Sequence, residues 1–188
     1  MLLLRSPSAA ATATRARRRR ATTTTTTAKP AAAPASPLVT CYLVGAGPGP
    51  LDLLTLRAVD CLRRADAVFF DALGPSARAA REFAPPGAEL VPGGTRGGAG
   101  AGAPAQAAIN GGLVRACEAL GRDAAVDGRP RAVVRLQGGC PSVFSRAGAE
   151  MTALREAGVA FELVPGVSSA LAGPLLAGFP LSEGLPLP

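Results

Sequence analysis

The residues that could do chemistry fall in four short loops, each directly behind an apolar run. Gly45-Ala46-Gly47-Pro48-Gly49 follows Cys41-Tyr42-Leu43-Val44. Asp71-Ala72-Leu73 follows Ala67-Val68-Phe69-Phe70, and Gly138-Gly139-Cys140-Pro141 follows the run Ala132–Leu136. Pro165-Gly166-Val167-Ser168-Ser169 follows Phe161–Val164. Glycine lets a backbone turn sharply and come close to a ligand. A strand that ends in such a turn and then opens a helix is where α/β proteins place ligands. The first loop therefore reads as a nucleotide-like or cofactor-binding turn. Asp71 alone would suit a helix cap, but directly behind a buried strand it faces the same edge.

Other chemistries are excluded by composition. The chain has no histidine, so Ser-His and Cys-His nucleophile pairs are absent. Lys29 is its one lysine and lies near the N-terminus, so no lysine serves the residues behind it. Cys41, Cys61, Cys117 and Cys140 are widely spaced, with no C-x-x-C pair, and do not form a zinc pattern. The first three read as buried thiols, and no metal site is expected.

The elements that must position these loops alternate. Strands are expected over Leu38–Val44, Ala67–Phe70, Ala88–Val91, Ala132–Leu136 and Phe161–Val164. Helices are expected over Leu53–Ala65, Ser76–Phe83, Gln106–Leu120, Ala147–Ala157 and Ser168–Ala177, with residues 92–105 as a Gly/Pro/Ala loop. Strand and helix in alternation argue for a single α/β domain: five parallel strands with flanking helices. In such a sheet the four loops share the carboxyl edge of the strands.

Charge divides the chain. Arg5, Arg15, Arg17, Arg18, Arg19, Arg20 and Lys29 lie in residues 1–37, and the first acid is Asp52. This leader accounts for the whole net charge of +7, and the remainder is neutral. A neutral domain argues against nucleic-acid binding. An acid-free, Arg-, Ser- and Thr-rich leader with the run Thr22–Thr27 has the composition of an organellar transit peptide. Its Ser/Thr bias favours the chloroplast over the mitochondrion. No apolar run approaches the roughly 20 residues that span a bilayer, so no membrane partner is expected. The expected organisation is a leader over 1–37, a domain over 38–182, and residues 183–188 as a tail or the start of a second domain.

A dinucleotide-binding unit is one reading of the first loop. It needs glycine at position 50, where the chain has Pro50, although Asp71 stands about where that fold keeps an acid. A different resemblance covers more of the chain. Gly45–Gly49 with Leu53-Leu54-Thr55, then Val68–Asp71, Gln106–Asn110, Val133–Gly139, Val164–Ala170 and Gly178-Phe179-Pro180-Leu181 occur in this order. As an ordered set these motifs resemble the tetrapyrrole methylases, over about residues 38–182.

That resemblance implies two α/β domains with S-adenosyl-L-methionine in the cleft between them, usually in a homodimer. It implies uroporphyrinogen III as acceptor and precorrin-2, on the way to sirohaem, as product. Pro48, Gly138, Gly139, Cys140, Val143, Ser168 and Ser169 would then contact the cofactor. Asp71 would accept the proton that leaves the ring after methyl transfer. Arg96 and Arg146 would bind the carboxylates of the acceptor, which arginine forks suit.

The chain also departs from the family pattern. Thr95 stands where the family has a proton-donating lysine, and Cys140 where it has an aspartate. Pro50 replaces another aspartate, and Ala72 an arginine. Ser145-Arg146-Ala147-Gly148-Ala149-Glu150 replaces a run with two glutamates. These departures keep a second reading open, a non-catalytic binding module or partner subunit of a true methylase. A third, methylation of another acceptor such as RNA, is disfavoured by the neutral domain. A half-length domain is expected to expose Leu181, Leu185 and Leu187 and to self-associate.

Overall fold

A computed structural model describes residues 38–72, 74–93 and 103–182, with the side chains of 103–105 left aside. Thr95, Arg96, Leu185, Leu187 and the leader lie outside the described residues. Five strands form one sheet: β1 (Val39–Gly45), β2 (Ala67–Phe70), β3 (Glu89–Pro92), β4 (Arg131–Gln137) and β5 (Ala160–Val164). All four pairings are parallel, in the order β3-β2-β4-β1-β5.

Five α-helices connect and flank the strands: α1 (Leu56–Arg63), α2 (Pro75–Phe83), α3 (Ala103–Asp127), α4 (Ala147–Glu156) and α5 (Ser169–Leu176). The central strands are apolar on both faces, as a doubly covered parallel sheet requires. On one face Val44, Val68, Phe70, Val134 and Leu136 pack with Ala58, Cys61 and Leu62 of α1 and Ala77, Ala79 and Ala80 of α2. On the other, Cys41, Leu43, Phe69 and Val133 pack with Leu113 and Cys117 of α3 and Leu154 of α4. The four cysteines are buried and free, as expected for the first three.

The fold class agrees with the expectation, while three boundaries differ by three residues or more. The first helix begins at Leu56 rather than Leu53. Thr55 caps it, accepting from Ala58 N at 3.1 Å, while Leu51–Leu53 form a separate 3₁₀ turn. Side-chain capping outweighs the apolar spacing that suggests a longer helix. The third helix is longer than expected at both ends, starting at Ala103 within the expected loop and running past Leu120 to Asp127. Its Gly111-Gly112 pair does not break it. A side chain on Gly112 would reach 3.2 Å from Phe69 Cε1, so glycine there lets the helix lie close on the sheet.

The strand order fixes where a ligand can sit. From β1 the chain moves through α1 towards β2, and from β4 it moves through α4 towards β5. Adjacent strands β1 and β4 therefore send their connections in opposite directions. Their carboxyl ends form the crevice that open α/β sheets use for ligands. None of the described helices is long and apolar enough to cross a membrane.

Candidate functional site

Three of the four loops meet at this crevice through bare backbone. Gly47 N donates to Gly139 O at 3.1 Å, and Gly139 N donates to Gly47 O at 2.8 Å. Ala46 N donates to Gln137 O at 2.7 Å. The loop behind β5 closes on the same point. A side chain on Gly166 would lie 2.3 Å from Gly139 O and 2.8 Å from Gly45 Cα. One on Gly45 would lie 2.5 Å from Gly139 O. Such separations admit no Cβ, so the junction requires glycine at both positions. Thr55 adds a fourth tie, its hydroxyl 3.4 Å from Pro165 O.

The junction holds several of the expected cofactor residues. Pro48 follows directly from it and is half-buried. Ser169 Oγ lies against Gly139, 2.8 Å from where a side chain on that glycine would start. Gly139 has φ +65°, a left-handed conformation that glycine adopts freely. Gly138 is exposed, and a side chain there would meet nothing within 4 Å. A Cβ at Gly49, which is half-buried, would also meet nothing within 4 Å. Open space beside exposed backbone suits a ligand tail that takes donors and acceptors without a fixed charge. The Ser168 hydroxyl is engaged elsewhere, capping α5 by accepting from Ala170 N at 3.3 Å.

Cys140 is buried in the lining of a cavity of about 390 Å³. The β4–α4 loop, α4 and the end of β5 enclose it, with Phe144, Met151, Leu163 and Pro165 among its walls. The thiol lies 3.0 Å from Ser142 Oγ. Burial pushes its pKa up, but hydrogen bonds from the Ser142 side chain and from the backbone at Ser142 and Gly166 outweigh this. The net shift is below the ordinary thiol value. Burial pushes the Cys61 thiol the other way, up. Val143 is 37% exposed and is not part of the cavity wall, whereas its neighbour Phe144 is. Phe144 is fully exposed and has φ +50°, a costly conformation for a bulky residue.

Asp71 lies at the carboxyl end of β2, as expected. Phe70 pairs with Leu136, and Gly45 pairs with Gln137. Asp71 is thus level with the junction, two strand spacings or about 10 Å across the sheet edge. Arg135 Nη2 donates to its Oδ1 at 2.7 Å. The Asp71 side chain retains 37% of its surface, so a reactant can still reach it. Arg146 is exposed at the start of α4, on the β4–α4 side of the crevice.

Behind Asp71 lies a buried polar network that the loop motifs do not reveal. Arg135 Nε donates to Glu150 Oε1 at 2.9 Å, and Arg135 Nη1 to Leu136 O at 3.0 Å. Gln137 and Gln106 also donate to Glu150. Glu150 is wholly buried on α4. Burial alone would lower the Arg135 pKa, but the carboxylates of Glu150 and Asp71 outweigh it and raise the net value. One signal of this network is present in the sequence. An arginine inside the apolar run Val133-Val134-Arg135-Leu136 needs a carboxylate partner if the strand is buried. Among the described residues no cluster of three or more His, Cys, Asp or Glu side chains is placed to hold a metal ion.

An open parallel sheet with a glycine-built crevice at its switch point defines a ligand-binding α/β domain. The family described as tetrapyrrole (corrin/porphyrin) methylases matches residues 40–186. A uroporphyrinogen-III C-methyltransferase of Synechococcus elongatus is 41% identical over 143 residues, covering 76% of this chain and 53% of that protein. One from Methanobacterium ivanovii is 44% identical over 142 residues, covering 76% and 55%. Among solved structures, a Thermus thermophilus uroporphyrin-III C-methyltransferase complexed with S-adenyl homocysteine superposes with TM-score 0.56 at 38% identity. It covers 77% of this chain and 54% of that one. The chain belongs to the tetrapyrrole methylases. It spans about half the length of the curated relatives it matches.

Proposed function

We propose that this chain forms the methyl-donor side of a uroporphyrinogen-III C-methyltransferase. The reaction is S-adenosyl-L-methionine-dependent C-methylation of uroporphyrinogen III towards precorrin-2, in sirohaem biosynthesis. The observation that carries the reading is the crevice at the ends of β1 and β4. Its three loops join through glycine backbone, yet the space beside Gly138 and Gly49 is open. Relatives named for this activity, and one solved with S-adenyl homocysteine, support it.

Bound S-adenosylmethionine would supply an electrophilic methyl group. Gly138, Gly139, Cys140 and Pro48 would hold it through backbone and apolar surface, with Ser168 and Ser169 closing the β5 side. Asp71 would take the proton that leaves the acceptor ring, its side chain being partly exposed at the strand end. Arg146, with Arg96, would meet the acceptor carboxylates. The acceptor is a small molecule, and the working form is a homodimer. The leader would direct the protein to the chloroplast, with the mitochondrion as the alternative address.

The test is transfer of labelled methyl from S-adenosylmethionine to uroporphyrinogen III. Turnover that Asp71→Asn reduces at least a hundredfold is the expected result. One observation favours a second reading, a non-catalytic module or partner subunit of a true methylase. Cys140 puts a thiol where relatives are expected to keep an acid. Binding of S-adenosylhomocysteine without any turnover would establish that second reading in place of the first.

A further inference from the structure

We propose that Arg135 and Glu150 are positioning residues, a buried pair that sets the orientation of the Asp71 carboxylate at the crevice. The inference rests on the reading of Asp71 as the proton acceptor. It concerns how the carboxylate is held rather than what it does.

Asp71 itself stands on a loop. It is half-exposed, and without a partner its carboxylate would be free to rotate. What stops the rotation is a guanidinium fixed from behind. Arg135 is planar and presents donors in a rigid fork. Three of its nitrogens are engaged: Nε with Glu150 at 2.9 Å, Nη1 with Leu136 O at 3.0 Å, and Nη2 with Asp71 at 2.7 Å. The first two bonds define the plane of the fork. The third aims one carboxylate oxygen of Asp71 and leaves the other for a reactant.

Glu150 is fixed in turn. Gln137 Nε2 donates to its Oε2, and Gln106 Nε2 donates to its Oε1 at 3.3 Å. Gln106 also donates to Asn110 Oδ1 at 2.8 Å, and Asn110 Nδ2 to Ala149 O at 3.3 Å. The chain of bonds thus runs from α3 through α4 to β4 and ends on Asp71. A salt bridge needed only for stability has no reason to extend one nitrogen out of the core to a half-exposed aspartate. Buried ion pairs are poor stabilisers compared with apolar packing, so their orienting role carries more weight.

The test uses the 188-residue chain with 15N-arginine and 13C-aspartate labels. In the wild type the Arg135 Nε–H, buried and bonded to Glu150, should exchange slowly. Glu150→Gln should speed its exchange at least tenfold and shift the Asp71 carboxyl resonance, while the remaining backbone spectrum holds. Arg135→Lys should shift the same Asp71 resonance, because an ammonium cannot reproduce the fork. If Glu150→Gln does not fold, Arg135→Lys alone decides. An Asp71 resonance unmoved in a folded variant overturns the proposal.

A second readout separates this claim from the reaction itself. Glu150→Gln should lower kcat for methyl transfer at least tenfold, and leave S-adenosylhomocysteine affinity within twofold. A purely structural role would weaken both together, and that result would also overturn the proposal. If wild type shows no transfer at all, the proposed reaction fails, and the Asp71 resonance still decides the positioning claim.

Discussion

The ends of β1 and β4 and the margin formed by β5 and α5 are neighbours built on opposite terms. At the first, backbone meets backbone, and glycines lie where no side chain fits. Behind it every charge is answered: Arg135 by Glu150 and Asp71, and Glu150 by two glutamine amides. At the second, apolar side chains face outward. Leu171 is 67% exposed and Leu175 65%, and Phe179 and Leu181 are more than half exposed. Leu171 and Leu175 are four residues apart and share one helix face. β5 pairs only with β1, leaving its other edge without a strand among those described. The centre of the sheet is complete in itself, whereas its margin offers apolar surface to something else.

Substitutions can break that contrast from either side. The largest effect is expected at the centre. Arg135→Ala leaves Glu150 buried without its counter-ion and should cost about 3–5 kcal/mol in urea unfolding. Gly166→Ala forces a methyl into the Gly139 carbonyl and should cost about 1–3 kcal/mol, as overpacking does elsewhere. It should also abolish S-adenosylhomocysteine binding, because the three loops can no longer meet.

Chemistry should distinguish the cysteines next. The Cys140 thiol is held below its ordinary pKa and lines a cavity, whereas Cys41 and Cys61 are raised and sealed in the core. Only the thiolate reacts with iodoacetamide. Native alkylation near pH 8 should select Cys140 at least tenfold, and S-adenosylhomocysteine should protect it. Mass mapping of the modified peptides reads both effects.

The smallest change in stability is expected at the margin. Leu171→Ser with Leu175→Ser should move stability by no more than about 0.5 kcal/mol, because exposed positions contribute little. The same pair should weaken self-association in sedimentation velocity. An unsubstituted chain that sediments as a monomer would remove the interface reading of this surface.

The centre is more legible in the sequence than the margin. Its strands can be read because residues buried on both faces form unbroken apolar runs, as Val133-Val134 and Val68-Phe69-Phe70 do. The loops can be read because glycine and proline punctuate them. The length of α3 is legible only in its middle, since Ala103 to Ala105 lie in the Gly/Pro/Ala stretch and Gly121 to Asp127 follow the apolar spacing that ends at Leu120. The Arg135–Glu150 pair is not legible, for it joins residues fifteen apart in sequence on a strand and the helix that follows it. The margin is partly hidden for a simple reason. An apolar residue carries no mark of whether its partner lies in the same domain, so the sequence of α5 does not tell which way Leu171 and Leu175 face.

The most direct test of the crevice as the methyl-donor site is calorimetry of S-adenosylhomocysteine against the wild type and Gly138→Leu. The first carbon of a side chain at Gly138 meets nothing within 4 Å and the position is exposed, so stability should hold, while leucine's outer carbons enter the space assigned to the ligand. The account predicts one site per chain in the wild type and at least a hundredfold weaker binding in the folded variant. Equal affinity in the two proteins would contradict it.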